Sequence, residues 1–145
     1  MELLCRSFDE LSREELYELL RLRCAVFVVE QNCPYQDLDG LDGAALHVFL
    51  RDADGIKACL RILPPDLAGP EVRIGRVLAV KRRCGLASRL LAEGIRLCRE
   101  RFGPVPILVE AQTYARGLYE KQGFRQTSEE FLEDGIPHIQ MRLEP

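Results

Sequence analysis

A chain of 145 residues, 47% hydrophobic and 30% charged, can bury roughly 70% of its unfolded surface around a core and is too apolar to be disordered. Its net charge of −3 argues against a surface built to hold the phosphate backbone of nucleic acid. No apolar run approaches the ~20 residues of a membrane helix, and the opening MELLCRSFDE carries an early acid and no signal-length apolar segment. The expectation is one cytoplasmic domain over residues 1–145, bound neither to nucleic acid nor to a membrane. The cysteines at 5, 24, 33, 59, 84 and 98 form no C-x-x-C pair, and the two histidines fall outside any zinc-ligand spacing. They read as reduced thiols and no metal site is expected.

Residues 2–6 suit a short strand. LSREELYELLRLRCAVF, residues 11–27, has the marks of a helix start: Ser12 as N-cap, Glu15 at the capping-box position, and Leu11 and Leu16 spaced as a hydrophobic staple. QNCPYQDLDGLDGAA then breaks all periodicity and predicts a loop. LHVFL and IKACLRIL flank RDADG as a β-hairpin turning at Gly55. PPDLAGP predicts a second loop and EVRIGRVLAV a further strand.

From residue 84 the period changes. Leu86, Leu90, Leu91, Ile95, Cys98 and Phe102 recur at helical spacing, with charged residues between them. VPILVE is a short continuous apolar run, as a buried strand requires. Residues 113–122 predict a helix ended by Gly123. FRQTSEEF and IPHIQMRL supply two more strands. The order β-α-β-β-β-α-β-α-β-β predicts an α/β (α+β) domain, a mixed sheet of about seven strands flanked by helices.

The turn RRCGLAS, residues 82–88, joins a strand to a helix. The first turn of a helix offers unpaired N–H groups at the positive end of its dipole, small residues let a phosphate approach them, and arginines add charge. Arg82, Arg83, Cys84, Gly85, Leu86, Ala87 and Ser88 are therefore candidates for holding a phosphate-bearing ligand. No G-K-[ST] follows, so this is not a P-loop. Cys84, at a helix start beside Arg82 and Arg83, is expected to react faster than the other five thiols.

The pattern R-x-x-G-x-A after a strand resembles the pyrophosphate loop of GCN5-related N-acetyltransferases. The family's usual R-G-x-G-x-G reads R-R-C-G-L-A here. ARGLYEKQGF, residues 115–124, resembles the family's later helix A-x-x-x-Y-x-x-x-G-F. RCAVFVVEQNCPYQDLDG and EDGIPHIQMRL resemble the ElaA-like branch, so the likeness spans nearly the whole chain.

The resemblance implies a mostly antiparallel sheet splayed between its fourth and fifth strands. It implies an enzyme moving an acetyl group from acetyl-CoA, with no metal, to a primary amine on a small molecule or peptide. Backbone groups of Val77, Leu78, Ala79 and Val80 would bind the pantetheine arm, and Tyr119 would serve the departing thiolate. Glu110, at the end of the buried strand, and His138, on the polar face of the last strand, are candidate bases; His47 ranks lower and a water relay stays open. Asp37, Asp39 and Asp42 are read either as a lure for a cationic amine or as a solvated acidic loop. A homodimer is compatible with these features. The alternative reading is a non-catalytic acyl-CoA-binding sensor with the same fold.

Overall fold

The computed structural model describes residues 1–145. The strands are β1 (Glu2–Ser7), β2 (Leu46–Asp52), β3 (Gly55–Leu63), β4 (Val72–Ala79), β5 (Ile107–Gln112), β6 (Arg125–Gln126), β7 (Phe131–Glu133) and β8 (Ile136–Leu143). The helices are α1 (Arg13–Arg23), α2 (Leu86–Phe102) and α3 (Arg116–Glu120). One sheet runs β1-β2-β3-β4-β5-β8-β6, with β7 also paired to β8. The expected seven strands become eight because FRQTSEEF and the two residues after it yield two short strands rather than one. All pairings are antiparallel except β4 with β5.

α1 begins as expected: Ser12 Oγ accepts from Glu15 N at 3.0 Å, and Ser12 N donates to Glu15 Oε1 at 2.9 Å. It does not remain α-helical to Phe27. Cys24–Glu30, which includes three valines and a phenylalanine, is wound in wider π turns, and such turns recur near functional sites. The 113–122 helix is also shorter than expected, a 3-10 turn at Thr113–Ala115 followed by one short α-helix.

The sheet is covered on both faces. On one, Leu90, Leu91, Ile95 and Cys98 of α2 pack onto Val48, Leu50, Leu60, Ile62 and Ile74. A Cβ on Gly94 would lie 2.9 Å from Leu60 Cδ2, so only glycine lets α2 come this close. On the other, Leu19 and Leu22 of α1 pack onto Phe49, Cys59 and Leu78. This double cover explains why Val48, Phe49 and Leu50 are all fully buried although they alternate sides along the strand.

The feature that positions the site is a bulge in β4. Cys59 pairs with Leu78 and Arg61 with Gly75, so Leu60 alone opposes both Arg76 and Val77. Arg76 takes up the extra residue with φ +51°. A bulge bends its strand, and the two central strands part here. β4 and β5 are paired only at Val72↔Ile107 and Arg73↔Leu108. Beyond that, β4 stays with β3 as far as Ala79, and β5 stays with β8 as far as Gln112. The splay expected between the fourth and fifth strands is present.

Candidate active site

A cavity of about 380 Å³ opens on the α1 face of the sheet where β4 and β5 separate. Its walls include Gly75, Arg76 and Val77 of β4, Glu110 and Gln112 of β5, His138 of β8, and Tyr119 of α3. The end of the α1 extension and the loop after it roof the cavity through Phe27, Gln31, Cys33 and Tyr35. A reciprocal amide pair, Gln31 with Gln112 at 3.1 Å in both directions, ties this roof to the end of β5.

Three candidates far apart in sequence thus meet in one space. Tyr119 is 7% exposed and packs edge-on against Phe124, with ring centroids 5.7 Å apart. Its hydroxyl has no partner within the protein. Burial, followed by the nearby Tyr114, pushes its pKa well above the ordinary phenol value, so the hydroxyl keeps its proton at neutral pH. Glu110 Oε1 lies 3.3 Å from Arg73 Nη1. His138 is not the surface histidine that its place on a polar strand face suggests. It is 8% exposed and stacks with Phe131, because β7 and the roofing loop cover that face. Its Nδ1 donates to Ile136 O at 2.7 Å, so in the neutral ring Nε2 is the nitrogen that carries the lone pair. His47 lies outside the cavity walls. It is buried, its Nε2 donates to Asp42 O at 3.0 Å, and desolvation lowers its pKa and keeps it neutral.

The acidic loop is neither solvated nor free to attract a cation; three arginines take up its charge. Buried Arg23 donates from Nε to Asp37 Oδ2 at 3.0 Å and from Nη1 to Asp42 Oδ1 at 2.8 Å. Arg61, also buried, donates to Asp39 and, at 3.1 Å, to Asp42. Arg76 Nη2, carried out on the β4 bulge, donates to Asp37 O at 3.0 Å. The Arg76 guanidinium stands over the Tyr35 ring at 5.4 Å, while the Tyr35 hydroxyl donates to Asp37 Oδ1 at 2.6 Å. The hydrogen bond from Arg61 holds the Asp39 carboxyl far below the ordinary range. Burial raises Asp42, but the bonds and charges of Arg23 and Arg61 outweigh it and the net shift is downward. Sequence reasoning passed over these arginines. The available signal was Arg61 itself, a charge inside the apolar run ACLRIL.

The phosphate-loop candidates lie apart from the cavity, at the far end of β4. Arg83 and Gly85 have φ of +58° and +80°. Gly85 precedes α2 without a side-chain cap, and a Cβ there would meet nothing within 4 Å. The first N–H bonded along the helix is that of Arg89, to Gly85 O at 3.0 Å. The N–H groups of Leu86, Ala87 and Ser88 therefore have no helical acceptor. Arg82 Nη2 lies 2.9 Å from Glu30 Oε2, with both side chains about half exposed. Val80 N donates to Lys57 O on β3 at 2.8 Å. Since backbone groups alternate sides along a strand, Leu78 faces β3 with Val80, and Ala79 faces the opening. Uncapped N–H groups, an open glycine and an unpaired strand edge fit a diphosphate carried on an extended amide-bearing arm.

The thiols separate cleanly. Cys33 is buried despite its loop position, its Sγ donating to Asp134 O at 3.4 Å. Burial pushes Cys59 and Cys98 up to about 12. Cys84 alone is exposed, its Sγ donating to Lys81 O at 3.1 Å. Timed alkylation with peptide mapping is expected to label Cys84 first, and coenzyme A to slow it. Equal labelling with and without coenzyme A would place the ligand away from this turn.

Residues 10–145 match the acetyltransferase (GNAT) domain model. ElaA of Escherichia coli is 42% identical over 140 residues, covering 94% of this chain and 92% of ElaA. Its crystal structure superposes with a TM-score of 0.91 over 99% of this chain and 100% of that one. An acyl-CoA N-acyltransferase from Pseudomonas aeruginosa superposes at 0.93, with 36% identity and 99% of each chain covered. A GNAT acetyltransferase from Elizabethkingia anophelis, crystallised with acetyl-CoA bound, shares the fold at 0.69, with 18% identity over 99% of this chain and 97% of that one. The chain belongs to the GNAT acetyltransferase family. Within it the likeness is to ElaA.

Proposed function

We propose that the chain transfers an acetyl group from acetyl-CoA to a primary amine by direct attack within a ternary complex. The observation that carries this reading is the convergence of Tyr119, Glu110 and His138 on one cavity at the parting of β4 and β5. The acetyl thioester supplies an activated carbonyl and a thiolate leaving group. Leu86, Ala87 and Ser88 offer N–H groups to the pyrophosphate at the positive end of α2, with Arg82 and Arg83 adding charge. The unpaired edge of β4 offers Ala79 to the pantetheine arm. An amine enters protonated at neutral pH and must lose a proton before it attacks. Glu110, the Nε2 of His138 or a water on either can accept it. Tyr119, whose hydroxyl keeps its proton, is the donor for the departing sulfur.

The test is release of free thiol from acetyl-CoA with a panel of amines, beside thermal melts with coenzyme A. Ligand at 100 times its dissociation constant adds about 2.7 kcal/mol. Stabilisation without amine-dependent thiol release would identify a sensor of acyl-CoA rather than an enzyme. Equal stabilisation by ATP would make the turn a general nucleotide site. Gly85→Asp puts a side chain and a negative charge on the proposed phosphate path and needs a left-handed φ. It is expected to weaken coenzyme A binding at least about tenfold by calorimetry, since like charges brought together cost several kcal/mol. A folded Gly85→Asp protein of unchanged affinity would move the site elsewhere.

A further inference from the structure

Resting on the acetyl-transfer reading above, we propose that Glu133, together with Glu110 and His138 Nε2, is the seat for the acceptor's ammonium group, and that this seat selects amines carrying no carboxylate beside the nitrogen.

Glu133 ends the three-residue strand β7. Pairing fixes its setting. β8 aligns His138 with Phe131 on one side and with Gln112 on the other, with Glu133↔Ile136 and Glu110↔Gln140 in the same registers. Side chains two residues apart share a face, so Glu110, Glu133 and His138 project to the same side of the sheet, and all three line the cavity.

Their hydrogen-bond chemistry is unbalanced. In its neutral form His138 uses its one N–H on Ile136 O, so Nε2 then presents a lone pair, and it stands 3.4 Å from Glu133 Oε2. Glu110 borders the same carboxylate and, after burial, is the main influence raising Glu133 above the ordinary carboxyl range. Three acceptors therefore face one another. The nearest cation is Arg73 on Glu110. A group with three N–H donors and a positive charge, R–NH3⁺, satisfies all three at once.

A second observation points to a ligand in the same space. Tyr119, itself nine-tenths buried, lines the same cavity, and its hydroxyl, bonded to no protein group, is available to a ligand there. Charge sets the class of amine. Glu110, Glu133, Asp134 and Asp39 line the cavity with Arg61, Arg73 and Arg76, but Arg61 and Arg76 are already paired with Asp39 and Asp37 of the acidic loop, which leaves Arg73 as the cation beside the seat. An acceptor whose amine adjoins its own carboxylate would bring a fourth acid against them. Aliphatic amines and lysine side chains escape that repulsion; the α-amino group of a free amino acid does not.

The probes are cadaverine and Nα-acetyl-lysine methylamide, which have no carboxylate, and Nε-acetyl-lysine, whose one free amine adjoins a carboxylate. Binding is measured by calorimetry in the presence of coenzyme A, and turnover by thiol release from acetyl-CoA. At least one carboxylate-free amine is expected to bind about tenfold or more tightly than Nε-acetyl-lysine. Glu133→Gln is expected to raise its dissociation constant and KM about tenfold, with kcat less affected and acetyl-CoA affinity unchanged, and Glu133→Asp to recover part of the loss. Equal use of Nε-acetyl-lysine, no binding of either carboxylate-free amine, or an unchanged KM in Glu133→Gln overturns the seat. If an amine binds in a Glu133-dependent way and no thiol is released, the seat stands and the acetyl-transfer reading fails.

Discussion

Tyr119→Phe is expected to lower turnover about 10²–10⁴-fold, the usual contribution of a positioned general acid, and to leave acetyl-CoA affinity unchanged. The hydroxyl is the only group removed, and no protein group bonds to it. The ring keeps its edge-on contact with Phe124, so packing is preserved. A group that matters only as negative charge develops on sulfur affects kcat rather than ground-state binding. Single-turnover thiol release isolates the chemical step. Wild-type rates in that assay would return Tyr119 to the role of a core aromatic residue.

The largest structural effect is expected at Arg23. Arg23→Ala is expected to destabilise the fold by about 3–5 kcal/mol, because removing one partner of a buried ion pair leaves the other charge uncompensated. Asp37, 3% exposed, keeps Arg76 and Tyr35, but Asp42 keeps only Arg61. At roughly 2–4 °C per kcal/mol for a chain of this size, the melting temperature falls by about 10 °C. Arg96→Ala is the control. It removes exposed helix-surface pairs with Glu93 and Glu100 and should move the melt little. The network holds down the loop that roofs the cavity, so Arg23→Ala should also weaken amine binding in the protein that remains folded. A melt within a degree or two of wild type would show that the loop is held by other contacts.

These residues differ in how legible they were. The cap of α1 was readable because Ser12 and Glu15 act within one turn. α2 was readable because a helix facing a sheet repeats its apolar residues at a fixed period, and the hairpin because its turn lies between two runs of strand-forming residues. The phosphate-loop candidates were readable for the same reason: a turn followed by a helix start is a local object, and small residues beside arginines declare it.

The separation of β4 from β5 was expected only by resemblance. It depends on one extra residue opposite Leu60, taken up by Arg76 in a left-handed conformation that arginine does not advertise as glycine would. The acidic loop was misread because its partners lie far along the chain; Asp37 meets Arg23 fourteen residues earlier and Arg76 thirty-nine residues later. The burial of His138 and the setting of Glu133 were not legible for a related reason. Alternation identifies the polar face of a strand, but only the assembled sheet decides whether water, another strand or a loop lies over that face. The sequence by itself determined the local elements and the residue types available to the site, since helix period, capping and turn chemistry act within a few residues. Only the tertiary structure decided which charges are neutralised and which acceptors converge, because those outcomes depend on register and burial set by strands that pair across the whole chain.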